Sequence, residues 1–410
     1  MQDAAHTGFA TSDLAQFDLT QTNPADRVWS DPESFLAQTR PDDPVLIFCP
    51  EILTAQTRLF IDGFPGLVSY AVKANPAPAV MSTILDAGMA AFDVASPYEI
   101  ALMRALSPES TLHYHNPAKS HREIAFALLR GVRTFSLDSF NELDKIDTGS
   151  VDIGVPRNDI EISVRFRLPS ISGASYNFGA KFGADIDYAA AILARAAELG
   201  FRPSLTFHPG TQCESPEAWT SYIEAAARIA AMAGVEISRL NVGGGFPANL
   251  YGAEHPLSPF FDAISKAAEP LSGGGVALVC EPGRALVAGS MALATRVKLV
   301  RDDGSVFLND GVYGALDEQP VLNRLRQFRV FDPNGRLRTG AAKGRALFGP
   351  TCDSVDRMPG APEMPDDIAE DDYVVFYGMG AYGSATATRF NGYGNLDTVV
   401  AASLGQPTAG

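Results

Sequence analysis

Leu67-Val68-Ser69-Tyr70-Ala71-Val72-Lys73-Ala74-Asn75-Pro76 is the stretch whose reading decides the fold. The apolar run from Leu67 to Val72 reads as a strand. Asn75-Pro76 ends it, because a proline lacks the N–H that a sheet needs. One lysine is left at the strand's carboxyl end, where an α/β barrel places its reactive groups. A lysine held there can lose solvation, drop its pKa and form a Schiff base with an aldehyde. It can equally be an ordinary surface lysine after a strand, so the rest of the chain must decide.

Outward from this stretch, strands and helices alternate. Ala90–Val94, Thr111–Tyr114, Thr134–Leu137, Glu161–Leu168, Ser204–Phe207, Arg239–Val242 and Val276–Cys280 read as strands. Pro78–Ala87, Pro97–Leu106, Ser120–Arg130, Ile186–Leu199, Glu217–Ala233 and Pro259–Ala268 read as helices between them. Ser120 with Glu123 three residues on is a capping box. Short apolar strands alternating with helices indicate a parallel sheet covered by helices. Counting Pro44–Phe48 as a strand and Glu51–Phe60 as a helix, the repeat fills 45–285 with eight or so strands, which favours an α/β fold closed into a (β/α)8, TIM-like barrel over an open sheet, a choice that spacing alone leaves open. After Arg284 the pattern turns β-like, at Leu286–Val300, Val306–Leu308 and Tyr373–Phe376, and predicts a second, all-β domain at 286–410. Arg357–Asp372, rich in Pro and Asp, reads as a loop. Residues 1–44 form an N-terminal segment. Its first ten residues read as mobile, and the role of its first thirty is not legible.

Composition narrows the class. The 410 residues carry 48 acidic and 32 basic side chains, a net charge of −16. That argues against nucleic acid as a partner, since phosphate binding needs a basic face. The four cysteines, Cys49, Cys213, Cys280 and Cys352, fit neither a zinc motif nor a disulfide framework, so no metal centre is expected. With no signal-peptide order and no run of membrane-spanning length, the expected location is the cytoplasm, away from any membrane.

Several stretches carry chemistry. Gly243-Gly244-Gly245, after a strand, either closes its backbone N–H groups on an anion or is a plain turn. Glu281, at the end of an apolar strand in Glu281-Pro282-Gly283-Arg284, needs a cationic partner: a protonated pyridine nitrogen or Arg284. His208, in His208-Pro209-Gly210-Thr211, either stacks on a flat ring or is bonded within the core. Cys352-Asp353, in a Gly-Pro turn, is reactive if exposed and inert if buried. Tyr382, in a small-residue stretch, either bonds a phosphate or packs.

In this order and spacing the chain resembles the fold-type III, alanine racemase-like decarboxylases that use pyridoxal 5'-phosphate (PLP), most closely the ornithine/lysine decarboxylase family. The matching motifs are Tyr70-Ala71-Val72-Lys73, Phe92-Asp93-Val94-Ala95-Ser96 with Glu99, Lys181-Phe182-Gly183, His208 with Gly210, Gly243–Pro247 and Glu281–Arg284. They continue with Asp310–Gly314, Gly349–Asp353, and Gly380-Ala381-Tyr382 with Phe390-Asn391-Gly392.

The resemblance implies PLP at the mouth of the barrel. It implies a homodimer whose two active sites are shared, each taking its lysine from one barrel and its Cys-Asp from the partner's β domain. The segment before the barrel partly joins the β domain of its own chain. Lys73 holds the cofactor, Glu281 pairs with the pyridinium nitrogen, and His208 stacks on the ring. Gly243, Gly244, Gly245, Gly283, Arg284, Thr211 and Tyr382 surround the phosphate, while Asp93 and Arg165 lie near the cofactor. Cys352 returns a proton after CO2 leaves. Asp353, with Tyr313 and the acidic candidates Asp317 and Glu318, binds the substrate's far amine.

The activity this implies is decarboxylation of a basic L-amino acid, foremost L-ornithine to putrescine in polyamine biosynthesis. Two departures bear on it. Pro209-Gly210-Thr211 stands where the family usually has Val-Gly-Ser, which removes one backbone N–H. Asp317 and Glu318 lie closer to Tyr313 than the family's Tyr-Asp pair, which leaves lysine, 2,4-diaminobutyrate and a modified ornithine as alternatives. Diaminopimelate decarboxylase is the nearest rival, and it tends to carry Cys-Glu-Ser where this chain has Cys352-Asp353-Ser354. A non-catalytic regulator of the same fold is opposed by the presence of Lys73 and Cys352. An alanine racemase is opposed by Glu281.

Overall fold

The structure, a computed structural model, describes residues 27–169, 181–250, 254–272 and 275–405. The expectation of a mobile first ten residues falls outside them. Eight parallel strands close into a barrel: β1 (Leu67–Ala71), β2 (Ala91–Val94), β3 (Thr111–Tyr114), β4 (Thr134–Leu137), β5 (Glu161–Arg165), β6 (Arg202–Thr206), β7 (Arg239–Asn241) and β8 (Ala277–Cys280). The seam is β8 on β1, with Val279 opposite Leu67 and Cys280 opposite Val68. Each barrel strand spans at most five residues and is largely buried, polar side chains such as Ser69, Ser163 and Ser204 included, as a helix-wrapped parallel sheet requires.

The helices are capped where the sequence signals it. Ser96, Ser139 and Asp185 accept from the backbone N–H three residues on, and Ser120 with Glu123 closes both halves of a capping box. Such caps satisfy N–H groups that the first helical turn leaves without partners. Helices Pro50–Gly63, Glu217–Ala233 and Ser258–Ser272 meet around an aromatic cluster. Trp219 stacks on Phe246 with centroids 4.9 Å apart, and its Nε1 donates to the Val242 carbonyl at 3.2 Å. One indole thereby pins both ends of the glycine stretch 243–245.

The second domain is built on an eight-stranded sheet. One correction concerns Val45–Phe48, expected in the barrel. It lies in this sheet, antiparallel to Met291–Val300 and parallel to Asp397–Ala401. Its side chains divide by alternation: Leu46 and Phe48 enter the main core, Val45 and Ile47 a second core behind the sheet. A strand buried on both faces reads as a continuous apolar run whichever sheet owns it. Leu286, expected in a strand, sits in a helical turn (Arg284–Val287), and the strand begins at Met291. The segment read as a loop contains a short strand, Glu363–Pro365. Among the described residues no helix is long and apolar enough to cross a membrane.

Candidate active site

Every barrel strand delivers a side chain or backbone turn to one end. Lys73 follows β1, on a single 3-10 turn (Val72–Ala74). Asp93 lies in β2, His115 just past β3 and Ser136 in β4. Arg165 ends β5, His208 follows β6, the glycines follow β7 and Glu281 follows β8. Together they line a cavity of about 300 Å³, with Thr211, Gly283, Arg284 and Tyr382 on its rim. This is the carboxyl end of the barrel, where the fold gathers chemistry.

Lys73 Nζ donates to Asp93 Oδ2 at 2.7 Å. About half of the lysine side chain, 49%, is exposed, but to the protein-walled cavity, while Asp93 is 2% exposed. Burial would lower the lysine, yet the Asp93 charge beside it wins and holds the ammonium above its ordinary pKa. The expected drop is therefore reversed, because the desolvated ammonium has a carboxylate in contact. Asp93 Oδ1 is buried and has no hydrogen-bond partner among the described residues.

Glu281 sits deeper. His115 Nδ1 meets its Oε1, and Asn241 Nδ2 donates to the same oxygen at 2.7 Å. Burial raises Glu281, but His115, Lys73 and the Asn241 amide more than offset this and hold the carboxyl below its ordinary range. Of the two partners left open for Glu281, Arg284 is not the one used: it reaches Glu318 instead.

His208 is pinned by its own turn. The Gly210 N–H donates to His208 Nδ1 at 3.1 Å, so that nitrogen carries the lone pair. Burial, reinforced by Arg165 and Lys73, pushes the imidazole down to about 3. The ring is neutral at physiological pH and presents a flat face.

The glycines are required by close approach. A Cβ on Gly244 would lie 2.5 Å from the Glu281 carbonyl oxygen, and one on Gly245, at φ +91°, would lie 2.3 Å from the Gly210 carbonyl oxygen. Gly244 and Gly245 line the cavity. Gly243, expected at the phosphate, does not line it, and its N–H donates to Asn241 Oδ1 at 2.8 Å. Across the rim, Tyr382 holds φ +65°, a conformation uncommon for a bulky residue, and its N–H bonds the Ala74 carbonyl at 2.7 Å. Arg284 lies over the Tyr382 ring, 4.8 Å from its centroid.

Glu318, expected at the substrate's amine, grips Arg284 instead and also meets Arg326. Asp317 stands just before the short helix Glu318–Val321, off the cavity, and burial pushes it up to about 6. Cys352, Asp353 and Tyr313 stand apart from the cavity of their own chain. Cys352 is exposed. Tyr313 Oη donates to Asp353 Oδ2 at 2.6 Å, and the Val355 N–H bonds Oδ1 at 3.1 Å. These bonds hold the Asp353 carboxyl below its ordinary range. Sequence reasoning missed His115, Asn241 and Ser136. His115 follows a strand and Asn241 ends one, a strand-end signal that would have found them, whereas Ser136 lies inside its strand and carries no such signal.

A sequence model described as "Pyridoxal-dependent decarboxylase, pyridoxal binding domain" matches residues 52–288. The ornithine decarboxylase of Panagrellus redivivus is 30% identical over 383 residues, covering 86% of this chain and 84% of that protein. The lysine/ornithine decarboxylase of Selenomonas ruminantium is 30% identical over 342 residues, covering 81% and 83%. Among solved structures, the Paramecium bursaria Chlorella virus arginine decarboxylase bound to agmatine superposes with a TM-score of 0.79 at 27% identity, over 89% of this chain and 98% of that one.

The site fits pyridoxal phosphate. A lysine amine opens onto the cavity and a buried carboxylate lies at its floor. A neutral imidazole supplies a flat face. A rim of glycine backbone and one arginine suits a phosphate. The buried, unpartnered Asp93 Oδ1 marks a wall built to face a polar group. By its matching barrel and by these relatives, the chain belongs to the pyridoxal-dependent decarboxylases.

Proposed function

We propose that the protein decarboxylates a basic L-amino acid, with L-ornithine to putrescine the favoured reaction, in a homodimer with shared sites. Bound pyridoxal phosphate supplies an aldehyde for the substrate's amine and a ring that takes up the electrons left when CO2 departs. Lys73 holds the cofactor and yields to the substrate amine. Glu281 would keep a proton on the ring nitrogen, and His208 would offer its flat face to the ring. Gly244, Gly245, Gly283, Thr211, Arg284 and Tyr382 hold the phosphate, with Asp93 and Arg165 beside the ring.

Cys352 of the second copy returns a proton to the α-carbon, and its Asp353 and Tyr313 receive the distal ammonium. The observation that carries the substrate class is Asp353 itself: anionic, oriented by Tyr313, and without an ion pair among the described residues. The exposed Val355 and Phe390 beside this pair favour an interface there. With Glu318 engaged by Arg284 and Asp317 off the cavity, the exposed Asp353 is the acid left for the amine. Four unpaired cysteines agree with a cytoplasmic setting.

The test is CO2 release from protein loaded with pyridoxal phosphate, offered ornithine, lysine, diaminobutyrate, diaminopimelate or arginine. Ornithine should give the highest kcat/KM. No turnover of any of the five by cofactor-loaded protein would sink the decarboxylase reading.

A further inference from the structure

His115 has no role in the reaction proposed above, yet it is the nearest side chain to the carboxylate at the cavity floor. Its side chain is 6% exposed. Both contacts to Glu281, from His115 Nδ1 and from Asn241 Nδ2, fall on the one oxygen Oε1. Asn241 Nδ2 also stands 3.1 Å from His115 Nδ1, so the three groups form a closed triangle. The carboxylate cannot rotate without breaking two contacts at once.

The imidazole is supported from below. It stacks on His113, with centroids 5.5 Å apart and planes 17° apart. His113 is tied to Ser69 at 3.1 Å and to Arg239 at 3.2 Å, and Arg239 faces Glu161 at 3.6 Å. Three acids act on His115: Glu281 after β8, Asp93 in β2 and Glu161 in β5. From β7 it meets the neutral Asn241 and from β3 the buried His113, itself pushed well down by burial. Lys73 and Arg165 act on Glu281 from the cavity side. Burial opposes charge on His115, but the three acids outweigh it.

We propose that His115 is a positioning residue for Glu281. With Asn241 it fixes one carboxylate oxygen, and its positive charge competes with the ring nitrogen of bound pyridoxal phosphate for the same carboxylate. His115 thereby loosens the ring's hold on its proton. This rests on Glu281 as the partner of that nitrogen.

The experiment loads wild type and His115→Gln with cofactor labelled with 15N in the ring. The ring 15N chemical shift and the visible absorbance are then followed from pH 6 to 10. Glutamine retains a donor for Glu281 but carries no charge, and His115→Asn is a smaller amide for the case where glutamine does not pack. Loss of the charge should raise the pH at which the ring nitrogen deprotonates by about one unit, a roughly tenfold tighter hold. Superimposable titrations of wild type and the amide variants would overturn the proposal. Glu281→Gln is the control. It should shift the ring nitrogen to its unprotonated position, and no change there would show that the assignment of Glu281 has failed instead.

Discussion

Glu318 holds Arg284 with both carboxylate oxygens: Arg284 Nη2 lies 2.6 Å from Oε1, and Nη1 meets Oε2. Arg326 approaches Oε2 at 3.2 Å. Arg284 and Arg326 are 7% and 3% exposed, so one carboxylate balances two buried guanidinium groups. A planar fork on a carboxylate fixes orientation as well as charge. It aims Arg284 across the Tyr382 ring toward the cavity.

Glu318→Gln should therefore disturb both stability and cofactor binding. The substitution removes the charge that both guanidinium groups contact, and breaking a buried pair costs about 3 kcal/mol. A drop in the urea midpoint and a roughly tenfold weaker cofactor affinity, read by absorbance titration, are the expected results. An unchanged affinity would show that Arg284 needs no aiming.

Two glycines on the cavity wall should respond differently to alanine. At Gly244 the new Cβ would press on the backbone carbonyl of Glu281 at 2.5 Å, so the loop itself must move. At Gly283 the nearest atom is the Ala74 Cβ at 3.1 Å, a contact that small shifts relieve. Gly244→Ala should weaken cofactor binding by about a hundredfold, and Gly283→Ala by about tenfold or less, since a displaced anion-binding loop loses several charge-assisted hydrogen bonds. Equal effects would contradict the difference in contact.

Acid should destabilise the cofactor-free protein through His208. Its folded pKa, about 3, lies below the ordinary value of 6.5. The unfolded chain therefore binds a proton that the folded one refuses, and stability falls as pH drops from about 6.5 toward 3. Between pH 7 and pH 5 the loss from this residue is about 2 kcal/mol. His208→Asn should remove that share, so its urea denaturation midpoint should fall less over the same interval. Identical pH profiles for the two proteins would mean that His208 is not buried in neutral form.

The shared-site reading has a genetic form. Lys73→Ala and Cys352→Ala should each be inactive alone, because every site needs both residues. Mixed in equal amounts under conditions of subunit exchange, random pairing yields half heterodimers, each with one intact site. About a quarter of wild-type activity should return. If none returns while size-exclusion chromatography shows mixed dimers, the two residues do not meet across an interface.

Much of the fold and of the site is legible in the sequence. Lys73, His208 and Glu281 all stand just past short apolar strands, and in a closed parallel barrel such positions converge by geometry. Gly244 and Gly245 announce a close approach of backbone. What stays hidden depends on contacts between distant segments. Nothing near Glu318 says that its partner is Arg284, thirty-four positions earlier. Val45–Phe48 reads as a barrel strand because full burial erases the alternation that would reveal a face. His115 escapes notice although it obeys the same strand-end rule as Lys73, since His113-Tyr114-His115 reads as an ordinary strand end until a carboxylate is placed beside it.

The placement of Val45–Phe48 also orders events during synthesis. This strand leaves the ribosome before the barrel does, yet its neighbours in the sheet are Met291–Val300 and Asp397–Ala401. A nascent chain can close the barrel once Cys280 has emerged, with Val45–Phe48 still unpaired along both edges. Among the described residues the sheet is finished only by Asp397–Ala401, so a chain interrupted shortly before Asp397 would carry a complete barrel beside an open, apolar edge. Such an edge recruits other chains. Pairing of Asp397–Ala401 closes that edge.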